Sequence, residues 1–393
     1  MPQDDRETEI DMDDAKLRAW WWQKQGLDGS LRGAAPAAVL ERSGWARSVG
    51  GAGPYLTLFA RARTSREEAD AAVQRLDIHE LPAARGCTYV LPARDFALAL
   101  TVAEGFGRGE LRTAEKLGVT ENEVDTLCAA VVKAVGSAAR SLGEEGKKKG
   151  MTTTLPLAFG VLQTRGMLRR VPVGGRLDQQ RYRYVRWSPN PLEPQAATES
   201  TAFTELARRF FGWVGPSTLK EFQGFSGLGV KAAKDAVGPL GLVPVEPGSD
   251  RLLLADDQAA FAAFTVPREE QYALVSSLDS ISAARRDVSS FVDASDRETV
   301  AKLTFGARRG SELMDLAAHA ILDRGRLVGY WEFDADAQCI VWMTFSGKRS
   351  KALSNVVEET ESFVRDQLGD ARSFSLDSPK SRRPKLDEIR SLA

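Results

Sequence analysis

Residues 43–62 read SGWARSVGGAGPYLTLFARA. The second half has the spacing of a helix packed on one face, but ARSVGG puts Arg47, Ser48, Gly50 and Gly51 where a core would not take them. The Arg47 guanidinium can donate two hydrogen bonds at once to a phosphate. Ser48 can orient a water, although an unaided hydroxyl is a poor base. Gly50, Gly51 and Gly53 permit a tight loop whose N–H groups bind phosphate, or equally a flexible turn before Pro54. No Gly-Lys-Ser/Thr closes the loop, so it is not a nucleotide P-loop.

Other chemistries find little support. His79 and His319 are the only histidines, and neither has a Cys or His at ligand spacing, so no metal site and no cofactor are expected. The same shortage weakens any Ser-His-Asp or Cys-His hydrolase. Cys87, Cys128 and Cys339 are odd in number and far apart, which fits reduced thiols. The acidic start MPQDDRETEIDMDD is unlike a signal peptide, and no apolar run reaches the roughly 20 residues of a membrane span, so a cytoplasmic protein is expected. A net charge of −1 conceals an uneven distribution, with acids at the N-terminus and arginines in the middle and at the end.

Several elements must position these residues. AKLRAWWWQKQG predicts a buried helix stopped by Gly26, and Pro36 starts another that Gly44 ends. CTYVL predicts a strand, followed by a helix from near Ala93. In ELRTAEKLGVTENEVDTLCAAVVKAVG a Gly turn leads to Thr120 as N-cap with Glu123 three residues on. A helix ending at Gly166 then precedes two strands, MLRRVPV and RYRYVRW, around GGRLDQQ. Helices followed by such a hairpin predict a winged helix. Its wing carries Arg169, Arg170, Arg176, Arg181, Arg183 and Arg186 against one acid, Asp178, with aromatic residues interleaved, a pattern suited to nucleic-acid phosphates.

After a Pro-rich linker the pattern recurs, with TAFTELARRFFGWVG, PSTLKEFQGF and GLGVKAAKDAVGPLG before a second hairpin. Lys231 and Lys234 there could reach DNA or form an ordinary solvated face. The expectation is an α+β protein: an acidic flexible leader (1–14), an N-terminal helical region (15–100), winged helix 1 (101–188), a linker (189–200), winged helix 2 (201–262), a C-terminal antiparallel β-rich, barrel-like domain (263–370) and a loose basic tail (371–393).

FTELARRFFGWVGPSTLKEFQGFSGL resembles the Ala-Arg-Arg, Gly-Pro and Trp-or-Phe-Ser-Gly signature of the bacterial tandem winged-helix family that includes the AlkZ-type (YcaQ-like) DNA glycosylases. WWWQKQGL, YLTLFAR, RGCTYVLPARD, LVSSLDSISAARRDV and GRLVGYWEFD are similar to further family segments and follow in the family's order. The resemblance implies excision of alkylated or crosslinked bases from double-stranded DNA. It also implies a Gln-aliphatic-Gln or Gln-aliphatic-Asp motif that positions the attacking water, and WARSVGG stands in its place. Tyr89 likewise stands where family members often have His.

Arg47 would oppose positive charge on the sugar, although it could bind a phosphate or stabilise the departing base. Asp279 could orient water or pair with Arg285 to hold a loop. Arg61 and Arg85 match family positions that line a DNA-facing cleft, or cap a helix or pair with an acid. The candidate catalytic residues are therefore Arg47, Ser48 and Asp279. The candidate DNA contacts are Arg61, Arg85, Arg169, Arg170, Arg176, Arg181, Arg183, Lys231 and Lys234. The expected protein is a monomeric DNA-binding member of the family, either a base-excision enzyme with an altered loop or a non-catalytic DNA-binding or transcription-regulatory protein.

Overall fold

The three tryptophans of the first helix each need a partner for an indole N–H, and each has one. In the computed structural model Trp20 Nε1 donates to the Gly215 carbonyl at 3.0 Å, Trp21 Nε1 to the Pro216 carbonyl at 3.2 Å and Trp22 Nε1 to Gln271 Oε1 at 3.2 Å. One helix is thereby fixed to two distant segments, since buried polar groups are held where they are satisfied. The structure describes residues 5–116, 118–135, 154–179, 181–193, 198–303, 315–316 and 318–393. The expectations for residues 1–4 of the leader, for 117, 136–153 and Gln180 of winged helix 1, for 194–197 of the linker and for 304–314 and 317 of the C-terminal domain lie outside these.

The fold is α+β. Helix α1 (Asp5–Lys24) runs through most of the stretch expected as a leader. Helices α2 (Pro36–Ser43), α3 (Gly53–Ala62) and α4 (Arg66–Gln74) surround a small antiparallel sheet. Its strands are β1 (Ala46–Arg47), β2 (Ile78–Pro82) and β3 (Thr88–Pro92), in the order β1-β3-β2.

A first helix-and-hairpin unit follows, with α5 (Phe96–Lys116), α6 (Glu121–Val135), α7 (Thr154–Thr164) and strands β4 (Leu168–Pro172) and β5 (Tyr182–Arg186). The Thr120 cap forms as expected, with Glu123 bonded back to the Thr120 N–H at 2.8 Å. Val124, Leu127, Val131 and Val135 face the unit's own core.

The second unit has α8 (Glu199–Val214), α9 (Leu219–Ser226), α10 (Val230–Val237) and a short hairpin of β6 (Val243–Pro244) and β7 (Leu252–Leu253). Toward the C-terminus β8 (Tyr272–Val275), β9 (His319–Asp323), β10 (Arg326–Asp334) and β11 (Cys339–Thr344) pair antiparallel in sequence order. The sheet is an open meander with β8 and β11 at its edges, and no closed barrel is found among the described residues. Helix α11 (Lys351–Phe363) covers it. Apolar residues of α2, α3 and α4 share one core with Ile321, Trp331 and Phe333 of this sheet.

The tail differs from expectation for an electrostatic reason. Its basic residues meet carboxylates of β10: Arg382 approaches Glu332 at 3.4 Å, Lys385 approaches Glu332 at 3.5 Å and Arg390 pairs with Asp334. Pro379–Leu392 is consequently an ordered helix that buries Leu386 and Ile389.

Candidate DNA-facing site

Alternation along the small sheet decides where each candidate residue points. Arg47 is paired with Tyr89 across β1 and β3, on the face that also holds Trp45 and Leu81. The Arg47 guanidinium lies 5.3 Å from the Tyr89 ring centroid. Ser48 continues the ladder through its N–H to the Thr88 carbonyl and points to the opposite face, where its hydroxyl donates to Glu80 Oε1 at 2.6 Å. Ser48 and Glu80 are buried, and Arg170 comes within 4.0 Å of the same carboxylate from the hairpin. Arg47 and Ser48, adjacent in sequence, thus belong to two different polar clusters.

The glycine loop is neither a phosphate nest nor a free turn, because the chain itself fills it. Ala52 N–H bonds the Arg372 carbonyl at 2.9 Å, and Ser375 N–H bonds the Val49 carbonyl at 3.1 Å. A Cβ on Gly51 would lie 2.3 Å from the Ser373 carbonyl oxygen, so only glycine admits this approach.

Asp279 and Arg61 meet in a closed network. Arg61 Nη2 contacts Asp279 Oδ1 at 2.7 Å and Nη1 contacts Oδ2 at 2.8 Å. Both side chains are completely buried. Thr57 and the Ile281 N–H take further positions on the carboxylate, while Gln25 and Ser280 accept the remaining Arg61 donors. Asp279 also caps the short helix Ser280–Ala283. The expected Asp279–Arg285 pair does not form: Arg285 bonds Glu221 at 2.8 Å and stacks 3.2 Å from the Trp21 ring centroid. Arg61 likewise faces the interior and not a DNA-facing cleft, since its donors are used there.

Arg85 lies on the turn before β3 with φ +58°. Burial raises the Tyr89 phenol above its ordinary value, against the pull of the nearby Arg47 and Arg85 charges. Gly227, at the end of α9, is pressed against Arg85: a Cβ there would come 2.9 Å from Arg85 Cγ. Three residues later α10 begins, with Lys231 and Lys234 exposed and Lys231 paired to Asp235. With Arg170 of the first hairpin donating to the Thr88 hydroxyl at 3.5 Å, residues 83–89 join the small sheet, the first hairpin and the second unit.

The hairpin arginines divide. Arg176 pairs with Asp178 and the Leu368 carbonyl, and Arg170 turns inward over the Tyr182 ring at 4.8 Å. Arg169 is half-buried, and burial lowers its pKa. Arg181 and Arg183 are exposed, with no ion pair among the described residues. The sequence reading missed the buried strand IHELP. Its His79 has neither ring nitrogen bonded, and burial, with Arg169 and Arg170 nearby, pushes its pKa down to about 3. Two ionisable residues, His79 and Glu80, between Ile78 and Leu81 were the available signal.

The motifs with family resemblance are those that lock the architecture. Asp95 of RGCTYVLPARD accepts the Trp45 indole at 2.9 Å and lies 3.2 Å from Arg209 of the Ala-Arg-Arg segment. Among the described residues no helix is long and apolar enough to cross a membrane, and no cluster of three or more His, Cys, Asp or Glu could hold a metal.

Residues 48–365 match the family model described as DNA glycosylase AlkZ-like. Among solved structures the chain is similar to the Streptomyces sahachiroi DNA glycosylase AlkZ, with a TM-score of 0.67 and 17% sequence identity, covering 91% of this chain and 97% of that one. No curated protein matches the sequence.

Proposed function

From its membership of the AlkZ-like DNA glycosylase family, established by the match over residues 48–365, we propose that this chain binds duplex DNA through two winged helices and engages alkylated or crosslinked sites without the family's excision chemistry. The helix-and-hairpin units α5–β5 and α8–β7 are the two winged helices, with Arg181, Arg183, Lys231 and Lys234 as backbone contacts. The reading makes it a cytoplasmic damage-recognition protein.

One observation carries it. Where the resemblance calls for a water-positioning Gln-aliphatic-Gln or Gln-aliphatic-Asp motif, β1 presents Arg47 beside Tyr89, and Asp279 and Glu80 are occupied elsewhere. Asp279 is held by Arg61, and Glu80 lies on the far face of the sheet, with Oε1 bonded by Ser48 and Oε2 facing Arg170 at 4.0 Å. A guanidinium opposes the positive charge that develops on the sugar during base loss, and among the described residues no carboxylate pairs with Arg47 to balance it.

The test is single-turnover base release from duplex DNA carrying N7-alkylguanine, with binding by anisotropy at two salt concentrations. Tight, salt-sensitive binding without release is expected. Release that disappears in Arg47→Ala would make the protein an enzyme with an unusual site, and absence of binding would end the DNA reading.

A further inference from the structure

Arg47 and Arg85 approach Tyr89 without a neutralising partner. Neither forms an ion pair among the described residues, whereas Arg61, Arg176, Arg209 and Arg285 all contact carboxylates. Arg47 Nη1 and Arg85 Nε are buried and unbonded. A donor taken from water without a partner is costly; Arg209 and Arg285 also leave a nitrogen unbonded, but there a contacting carboxylate offsets the cost, and at Arg47 and Arg85 none does among the described residues, so an anion would complete the bonding. Arg85 also holds a left-handed backbone, uncommon outside glycine, with its stem confined by Gly227. Arg47 and Arg85 are each part-exposed, so the pair is reached from solvent.

We propose that Arg47 and Arg85 form a seat for a single phosphate of the DNA backbone, with Tyr89 as its floor, and that the phosphate flanks a nucleotide turned out of the helix. This rests on the DNA-binding reading above. Planar guanidinium forks suit a phosphate's oxygens, and the Tyr89 hydroxyl supplies one further donor. Both arginines are only part-exposed, unlike Arg181, Arg183, Lys231 and Lys234. A regular duplex presents its phosphates to exposed side chains. A recessed pair is reached by a backbone that bulges inward, which is what the strand does when a nucleotide leaves the stack. The contact between Gly227 and Arg85 puts the seat beside the start of α10, so one duplex can meet both.

The experiment measures anisotropy on an intact duplex and on the same duplex carrying a tetrahydrofuran abasic analogue. The wild-type chain is expected to prefer the abasic analogue. The Arg47→Ala/Arg85→Ala double variant should lose about 10- to 100-fold of that preference, the range for hydrogen bonds to charged groups. Replacing one phosphate beside the analogue by an uncharged methylphosphonate should cost the wild type a similar factor and the double variant almost nothing more. Should the double variant fail to fold, Arg47→Lys keeps the charge, removes the fork and should still reduce the preference. A preference that survives the substitutions, equal wild-type binding to both duplexes, or losses that simply add would overturn the seat alone. Failure of the wild type to bind either duplex would instead remove the DNA-binding reading beneath it.

Discussion

Arg61 and Arg47 begin and end nearly the same stretch of chain and do opposite things. Arg61 is enclosed on α3, bidentate to Asp279, with its other donors accepted by Gln25, Thr57 and Ser280. Arg47 lies half-buried against Tyr89, with one nitrogen unbonded and no carboxylate pairing with it among the described residues. Family position alone does not separate an arginine that holds the fold from one that faces a ligand. The state of its partners does.

The largest effect should come from breaking the closed pair. Removing one member of a buried ion pair leaves the other charge uncompensated, so Arg61→Ala or Asp279→Ala should each destabilise the protein by about 3–5 kcal/mol. Arg47→Ala removes only a part-exposed contact with an aromatic ring, worth about 0.5–1 kcal/mol. Urea unfolding midpoints measure both. Equal losses at the two sites would abolish the distinction.

A second contrast concerns acid. His79 is buried between Phe96 and Trp187, with Arg169 and Arg170 adding to the penalty on its charged form. Its pKa of about 3 lies below the ordinary 6.5, so the unfolded chain takes up a proton that the folded one refuses. Its contribution is fully present above about pH 6.5 and falls by about 1.4 kcal/mol per pH unit as the pH drops toward 3. His79→Leu should flatten the stability profile across that window. His319, buried with its pKa also lowered, acts in the same direction in both proteins, so the difference isolates His79. An unchanged slope in the variant would mean that His79 finds a partner after all.

Local chemistry was largely legible in the sequence. The capped helices after Thr120 and Thr218, the arginine-rich hairpin and the alternation of β9 to β11 all follow from short-range patterns. Nonlocal pairing was not. β1 is two residues long, and nothing in its composition announces that β3 will sit beside it or that Ser48 will turn toward Glu80. The loop glycines looked like freedom because the segment that fills them, 372–375, is more than 300 residues away. The basic tail looked loose because its carboxylate partners lie on another element, β10. At the candidate site, residue types were readable, whereas partnership, which decides between structure and binding, was set by tertiary contacts.

The smallest effect on the protein itself should come from the hairpin. Arg181 and Arg183 are exposed without ion pairs among the described residues, so Arg181→Ala and Arg183→Ala should leave unfolding midpoints within about 0.5 kcal/mol of wild type. If they touch phosphates, each should lower the slope of log affinity against log salt by about 1. Both duplexes, intact and abasic, should weaken alike, because exposed contacts carry no information about the lesion. Arg176→Ala offers the opposite pattern on the same hairpin: its pairing with Asp178 and the Leu368 carbonyl predicts lost stability with little change in salt slope. A change in salt slope for Arg176→Ala as large as for Arg183→Ala would show that the hairpin rearranges on DNA and that its inward arginines are released to bind.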